Sequence, residues 1–162
     1  MSCSMSGRKV LRKKNTNVVV DTNTLIRALA NFEPYSKALE HLIEKCDTIV
    51  FSTQIMKEYF GKFHKAGMTK TFFQRKLEDI RQLGKLRRCY ETPLRKARKQ
   101  IKTKHLPLPN DRTDIKFIET AIASNARYIV TNDGELLRMN PYRYQNSHIS
   151  IIDPVEYRSI ET

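Results

Sequence analysis

No apolar run in the chain approaches the roughly 18–20 residues that a membrane-spanning helix needs, so no membrane-spanning segment is expected. The start, MSCSMSGRKVLRKKNTN, is charged and carries no apolar core segment, so no secretory signal is expected either. Cysteine is sparse: Cys3, Cys46 and Cys89 form no CxxC pair and no even framework. A disulfide scaffold is therefore excluded as the organising principle, and a reducing cytoplasm fits best. Glycine is scattered, with Gly61, Gly67 and Gly84 isolated, so a Gly-rich phosphate loop is missing and nucleoside-triphosphate binding has no support. A G-x-S-x-G elbow, an internal repeat and a low-complexity tract are missing too. His41, His64, His105 and His148 share no metal-ligand spacing, and the set Cys46, His64, Cys89 and His105 lacks the short-spaced pair of a zinc site.

What is present is positive charge. Over 162 residues the formal net charge is +13, with 40% apolar residues, which describes one globular domain of ordinary size. Residues 1–17 carry +5, 18–60 carry −2, 61–105 carry +12 and 106–162 carry −2. A basic flexible arm over 1–16 thus precedes a single domain over 17–162, with a basic helical insert at about 61–105. Such a balance calls for a polyanionic partner, nucleic acid ahead of a membrane surface. The insert's candidates for nucleic-acid contact are Arg75, Lys76, Arg87, Arg88, Arg95, Lys96, Arg98 and Lys99. A solvated helical face is the plainer alternative.

Strand and helix patterns alternate. Val18-Val19-Val20, Thr48–Phe51, Tyr128–Val130 and His148–Ile152 read as strands. Helical spacing runs over Leu25–Ala30, Tyr35–Cys46, a stretch capped by Ser52, Thr71–Leu86, Pro93–Ile101, Thr113–Asn125 and Glu135–Met139, with a last turn from Pro154. Phe72 and Phe73 fall at core spacing with Leu77 and Ile80, although aromatics beside Arg75 and Lys76 could also stack on bases. The alternation predicts an α/β fold with a parallel sheet covered on both faces, whose ligands bind beyond the C-terminal strand ends.

Two apolar strands end on a carboxylate at that edge, VVV-Asp21 and YIV-T-N-Asp133. Asp114 opens the helix before the second of them, and Glu58 lies about two turns into the helix after Ser52. Four carboxylates from distant segments can therefore converge. Clustered carboxylates ionise together only with a cation or protons among them, and hard oxygen donors suit Mg²⁺ or Mn²⁺. Each acid also has a plainer reading: Asp21 as a helix N-cap, Asp133 as a turn residue, Asp114 and Asp111 as first-turn acids, Glu58 as a surface acid.

The segments VVVDTNTLIRAL (18–29), STQIMKEY (52–59) and DRTDIKFIETAIASNARYIVTNDGELL (111–137) resemble the PIN-domain nucleases, most of all toxins of the VapC type. The resemblance implies a three-layer α/β/α sandwich with a mostly parallel sheet. It implies metal-binding and catalytic roles for Asp21, Glu58, Asp114 and Asp133, secondary acids at Asp111 and Glu135, and site-lining roles for Asn23 and Thr131. It implies metal-dependent hydrolysis of single-stranded RNA leaving a 5′-phosphate, a homodimer, and an antitoxin or ribonucleoprotein partner. The long arm and the basic insert fit a PIN protein of RNA maturation as readily as a toxin. A structure-specific DNA nuclease and a non-catalytic nucleic-acid-binding module remain the alternatives.

Overall fold

A computed structural model describes residues 16–160 of the chain. The basic arm expected over 1–16 lies, all but Thr16, outside the described residues. From the N-terminus run β1 (Asn17–Val20), α1 (Thr22–Leu29), α2 (Tyr35–Glu44), β2 (Thr48–Phe51) and α3 (Thr53–Lys62). A 3₁₀ turn over Phe63–Ala66 leads to α4 (Lys70–Gln82), β3 (Leu86–Arg88) and α5 (Glu91–Thr103). A second 3₁₀ turn, Arg112–Asp114, opens α6 (Ile115–Ala123), followed by β4 (Tyr128–Val130), α7 (Gly134–Leu137), β5 (Tyr142–Tyr144), β6 (Ser147–Ile152) and α8 (Pro154–Arg158).

The strands form one sheet in the order β3-β2-β1-β4-β6-β5, parallel except for β5. Val18, Val19 and Val20 are at most 6% exposed because β1 lies in the middle of the sheet, buried on both faces, where an unbroken β-branched run is the expected sequence. It pairs in register Val18 with Tyr128, Val19 with Ile129 and Val20 with Val130. From β1 the chain winds outward through β2 to β3, then returns past β1 to β4. Right-handed crossovers put the outgoing and returning helices on opposite faces. Accordingly α5 packs beside α6, and α6 covers β1, β2 and β4, while α1, α2 and α8 pack together. The three-layer α/β/α arrangement follows, and the reversal of winding between β1 and β4 leaves a crevice at their C-terminal ends.

The sequence reading runs α4 on to Leu86, and the structure stops it at Gln82. Gly84 takes φ +73°, a left-handed conformation that ends the helix and turns Lys85 into β3. That strand, Leu-Arg-Arg, has one apolar residue and gave no strand signal. It survives as an edge strand on β2, where exposed charge is tolerated and discourages further pairing. β5 was missed as well, although Tyr142 and Tyr144 are buried and Arg143 is exposed, a period-two pattern three residues long. Of the two adjacent phenylalanines, Phe73 is core, stacked on Phe63 with ring centroids 5.2 Å apart, and Phe72 is 38% exposed beneath the Lys76 ammonium.

One buried hydroxyl ties α3 to the end of β1. Tyr59 is fully buried, and its phenol donates to the Val20 carbonyl at 2.6 Å. Tyr59→Phe strands that carbonyl in an apolar place and is expected to lower unfolding free energy by about 1–2 kcal/mol in urea titration, with the slope unchanged. An unchanged midpoint would show that the bond contributes nothing.

Candidate active site

Asp21 follows β1 and caps α1. Its Oδ1 accepts the Thr24 N–H at 2.9 Å, its Oδ2 accepts the Thr131 hydroxyl, and its own N–H donates to the Val130 carbonyl at 3.1 Å. Thr131, the residue after β4, is fully buried and works in both directions: its Oγ1 also accepts the Asp133 N–H at 2.9 Å. Asp133 in turn caps α7 by accepting the Leu136 N–H at 3.0 Å. One threonine hydroxyl therefore sets both strand-end acids. The cap reading of Asp21 and Asp133 holds, and it leaves the site reading open, since a carboxylate that caps through one oxygen keeps lone pairs for other partners.

Asp114 ends the second 3₁₀ turn, at the start of α6, and makes no side-chain cap bond. Burial raises its carboxyl, the charges of Asp133, Asp111 and Asp21 raise it further, and Lys116 opposes them, leaving it at about 6. Asp21 is also raised: burial is the main cause, the hydrogen bonds from Thr131 and Thr24 oppose it, and the Asp133 charge adds to it. Asp111 behaves differently. Its Oδ1 accepts the Thr113 hydroxyl at 2.7 Å and the Thr113 N–H at 2.9 Å, and these bonds hold its exposed carboxyl below the usual value.

Glu58 projects from α3 at the wall between this cleft and the groove beside it, where two ammonium groups take it. Lys62 Nζ lies 3.0 Å from Oε1, and Lys116 Nζ pairs with Oε2. Burial would raise this carboxyl, but hydrogen bonds and charge from Lys116 and Lys62 outweigh burial and leave it below its ordinary value.

Asp21, Asn23, Glu58, Asp111, Asp114 and Asp133 thus line one cleft, with Asn132, Arg27, Lys62 and Thr113 beside them. Thr131 lies beneath it. Glu135 does not line it: its Oε1 accepts the Asp111 N–H at 3.0 Å and props the loop that carries Asp111. At the mouth, Asn132 and Arg27 donate to the Tyr35 hydroxyl at 2.6 Å and 2.8 Å. Arg27, Tyr35 and Asn132 were not singled out by sequence reasoning, nor were Lys62 and Lys116. Only Lys62 carried a signal, its spacing of four from Glu58 on a helix.

None of the eight basic candidates borders this cleft. Arg98 is engaged elsewhere, pairing with Glu91 at 2.7 Å and with Glu119 at 3.0 Å, and so ties α5 to α6. Arg88 donates to the Thr53 hydroxyl at 2.9 Å. Arg75, Arg87, Arg95, Lys96 and Lys99 are exposed.

Among the described residues, no three His, Cys, Asp or Glu side chains are close enough to hold a metal ion as they stand. The donor chemistry nevertheless fits a hard divalent cation. Three carboxylates, following β1, opening α6 and in the β4–α7 turn, face one cleft, and burial together with the neighbouring acids raises the Asp114 carboxyl to about 6, so a cation placed among them would be favoured.

No helix among the described residues is long and apolar enough to cross a membrane. No curated protein matches the chain. Among solved structures, VapBC2 from Rickettsia felis bound to a promoter DNA fragment is similar in fold, with 21% identity and a TM-score of 0.52 over 85% of this chain and 98% of that one. FitAcB from Neisseria gonorrhoeae has 17% identity and a TM-score of 0.47 over 85% and 98%. The PIN domain matches residues 17–135, which takes in every acid of the cleft. By that match, the chain belongs to the PIN domain family, a family of nucleases.

Proposed function

We propose that this PIN nuclease is an endoribonuclease that cleaves single-stranded RNA with Mg²⁺ or Mn²⁺, held by Asp21, Asp114 and Asp133 with Glu58 joining them. The observation that carries this reading is the meeting of three carboxylates from separate segments at the reversal of strand order, one of them pushed up to about 6 by burial and by the charges of its neighbours. A non-catalytic module has no reason to keep such repulsion. The assignment as the toxin of a toxin–antitoxin pair, with a homodimer and a protein antitoxin as partners, rests on the VapC-type pattern of the motifs.

A bound divalent cation supplies positive charge that stabilises the phosphodiester as negative charge develops on it, and it makes water a better nucleophile. The chain's own residues prepare that chemistry. Thr131 and Thr24 fix Asp21 in one orientation before any ligand arrives, so little reorganisation is left for the reaction. Asn23 and Asn132 place amide groups at the rim, suited to sugar and phosphate oxygens.

Incubation of a labelled single-stranded RNA with the protein and Mn²⁺ is expected to give cleavage that EDTA stops. Asp21→Asn, which keeps a capping side chain, is expected to abolish cleavage. Thr131→Val is expected to lower it by about 10- to 100-fold. Cleavage that survives Asp21→Asn or EDTA would overturn the proposal, and cleavage of branched DNA with RNA spared would move the substrate class.

A second expectation concerns pH in metal-free protein. The folded carboxyl of Asp114 lies above its ordinary value of 3.8, at about 6. Its contribution to stability is therefore complete below the lower value and is lost as pH rises through the higher one. Asp114→Asn removes this loss. Relative to the wild type, the variant should gain about 1–2 kcal/mol between about pH 4 and pH 7, after allowance for solvent screening of a half-exposed group. A difference that does not change with pH would contradict the repulsion.

A further inference from the structure

Beside the acidic cleft, and sharing Glu58, Lys62 and Thr113 with it, runs a groove between α3 and the start of α6. Its lining is of opposite charge: Lys57, Lys62, Arg112 and Lys116, with Gln54, surround the single carboxylate of Glu58. That carboxylate is held as an anionic ligand would be. Each oxygen has its own ammonium group, Lys62 on Oε1 and Lys116 on Oε2, and the side chain is 17% exposed. Lys57 and Arg112 are exposed and take part in no ion pair among the described residues.

We propose that this groove is the binding site for the phosphodiester backbone of the substrate, and that Glu58 is a resident anion which occupies it until the carboxylate turns to the cleft. The inference rests on the nuclease reading above and deepens it. It assigns substrate capture to Lys57, Lys62, Arg112 and Lys116, none of which belongs to the eight basic residues singled out from the sequence. The physical reason is position. A phosphate in the groove is next to the carboxylate cleft, whereas Arg95, Lys96 and Lys99 line neither the groove nor the cleft. The same geometry couples two events. While Glu58 neutralises Lys62 and Lys116, only Lys57 and Arg112 are left for a polyanion. When Glu58 swings toward the other carboxylates, all four cations face the groove. Loading of the cleft with a divalent cation and capture of nucleic acid then favour one another, because both need Glu58 out of the groove.

The test is binding of a fluorescein-labelled single-stranded RNA oligonucleotide to the full chain in EDTA, where no cleavage occurs, over a range of KCl concentrations. Glu58→Gln is expected to raise affinity about tenfold, since two partly buried ion pairs no longer compete. Asp111→Asn, which removes an equally negative group outside the groove, should raise it far less. Adding Lys62→Ala to Glu58→Gln should cancel most of the gain. Lys57→Ala with Arg112→Ala should shrink the slope of log Kd against log salt by about 1.4, or about 0.7 per phosphate contact. Arg95→Ala with Lys96→Ala and Lys99→Ala should leave it nearly unchanged. The proposal is overturned if Glu58→Gln binds RNA no better than the wild type, or if the α5 variant and not the Lys57/Arg112 variant loses the slope. Cleavage by the wild type with Mn²⁺ is measured in parallel. Absent cleavage with the Glu58→Gln gain intact removes the nuclease reading and keeps the groove; cleavage without the gain does the reverse.

Discussion

Asp21 places a carboxylate where burial opposes its charge, and the C-terminal edge of the sheet is built around holding it there. The Thr24 N–H and the Thr131 hydroxyl each take one of its oxygens, and its backbone N–H closes β1 onto β4. Because Thr131 also accepts the Asp133 N–H, the second strand-end acid is set by the same hydroxyl. Tyr59 fastens the helix carrying Glu58 to the carbonyl just before Asp21. A buried charge is costly unless it is bonded and compensated. Asp21 is bonded at both oxygens, whereas Asp114 makes no side-chain cap bond, and burial together with the charges of Asp133, Asp111 and Asp21 drives it up to about 6 against the pull of Lys116.

The two signs of charge in the chain do different things. The acids that meet in the cleft come from the two slightly negative stretches, and the excess positive charge comes from 61–105 and the N-terminus. Physical proximity divides the labour more finely than sequence blocks do. Lys62 falls within the basic stretch, but Lys57, Arg112 and Lys116 come from the negative ones, and these four border the groove next to the acids. Most of the insert's cations face elsewhere, and Arg98 is a strut between helices. On the proposed groove, substrate capture follows the local charge around the site rather than the net charge of a segment.

Much of the fold was legible because its signals are local and strong. Val18-Val19-Val20 and Tyr128–Val130 are short apolar runs, and each is followed by a polar capping turn. Ser52 announces α3, and its side chain accepts the Ile55 N–H at 3.2 Å. β3 was not legible because an edge strand need bury little, and its identity comes from pairing with β2. The convergence of Asp21, Asp114 and Asp133 was readable from strand ends and winding. The capture of Glu58 by Lys116 was not, because a contact between α3 and α6 across 58 positions leaves no spacing signature, whereas Lys62 at i+4 does.

The central proposal is that a divalent cation binds among the carboxylates of the cleft and displaces the proton that burial and neighbouring charge hold on Asp114. Calorimetric titration of Mn²⁺ into the full chain at about pH 5.5, in buffers of different ionisation enthalpy, measures the protons released on binding. The account predicts release of about one proton, falling away as pH rises past about 7 and lost in Asp114→Asn. Absence of Mn²⁺ binding, or binding without proton release in the wild type, would contradict it.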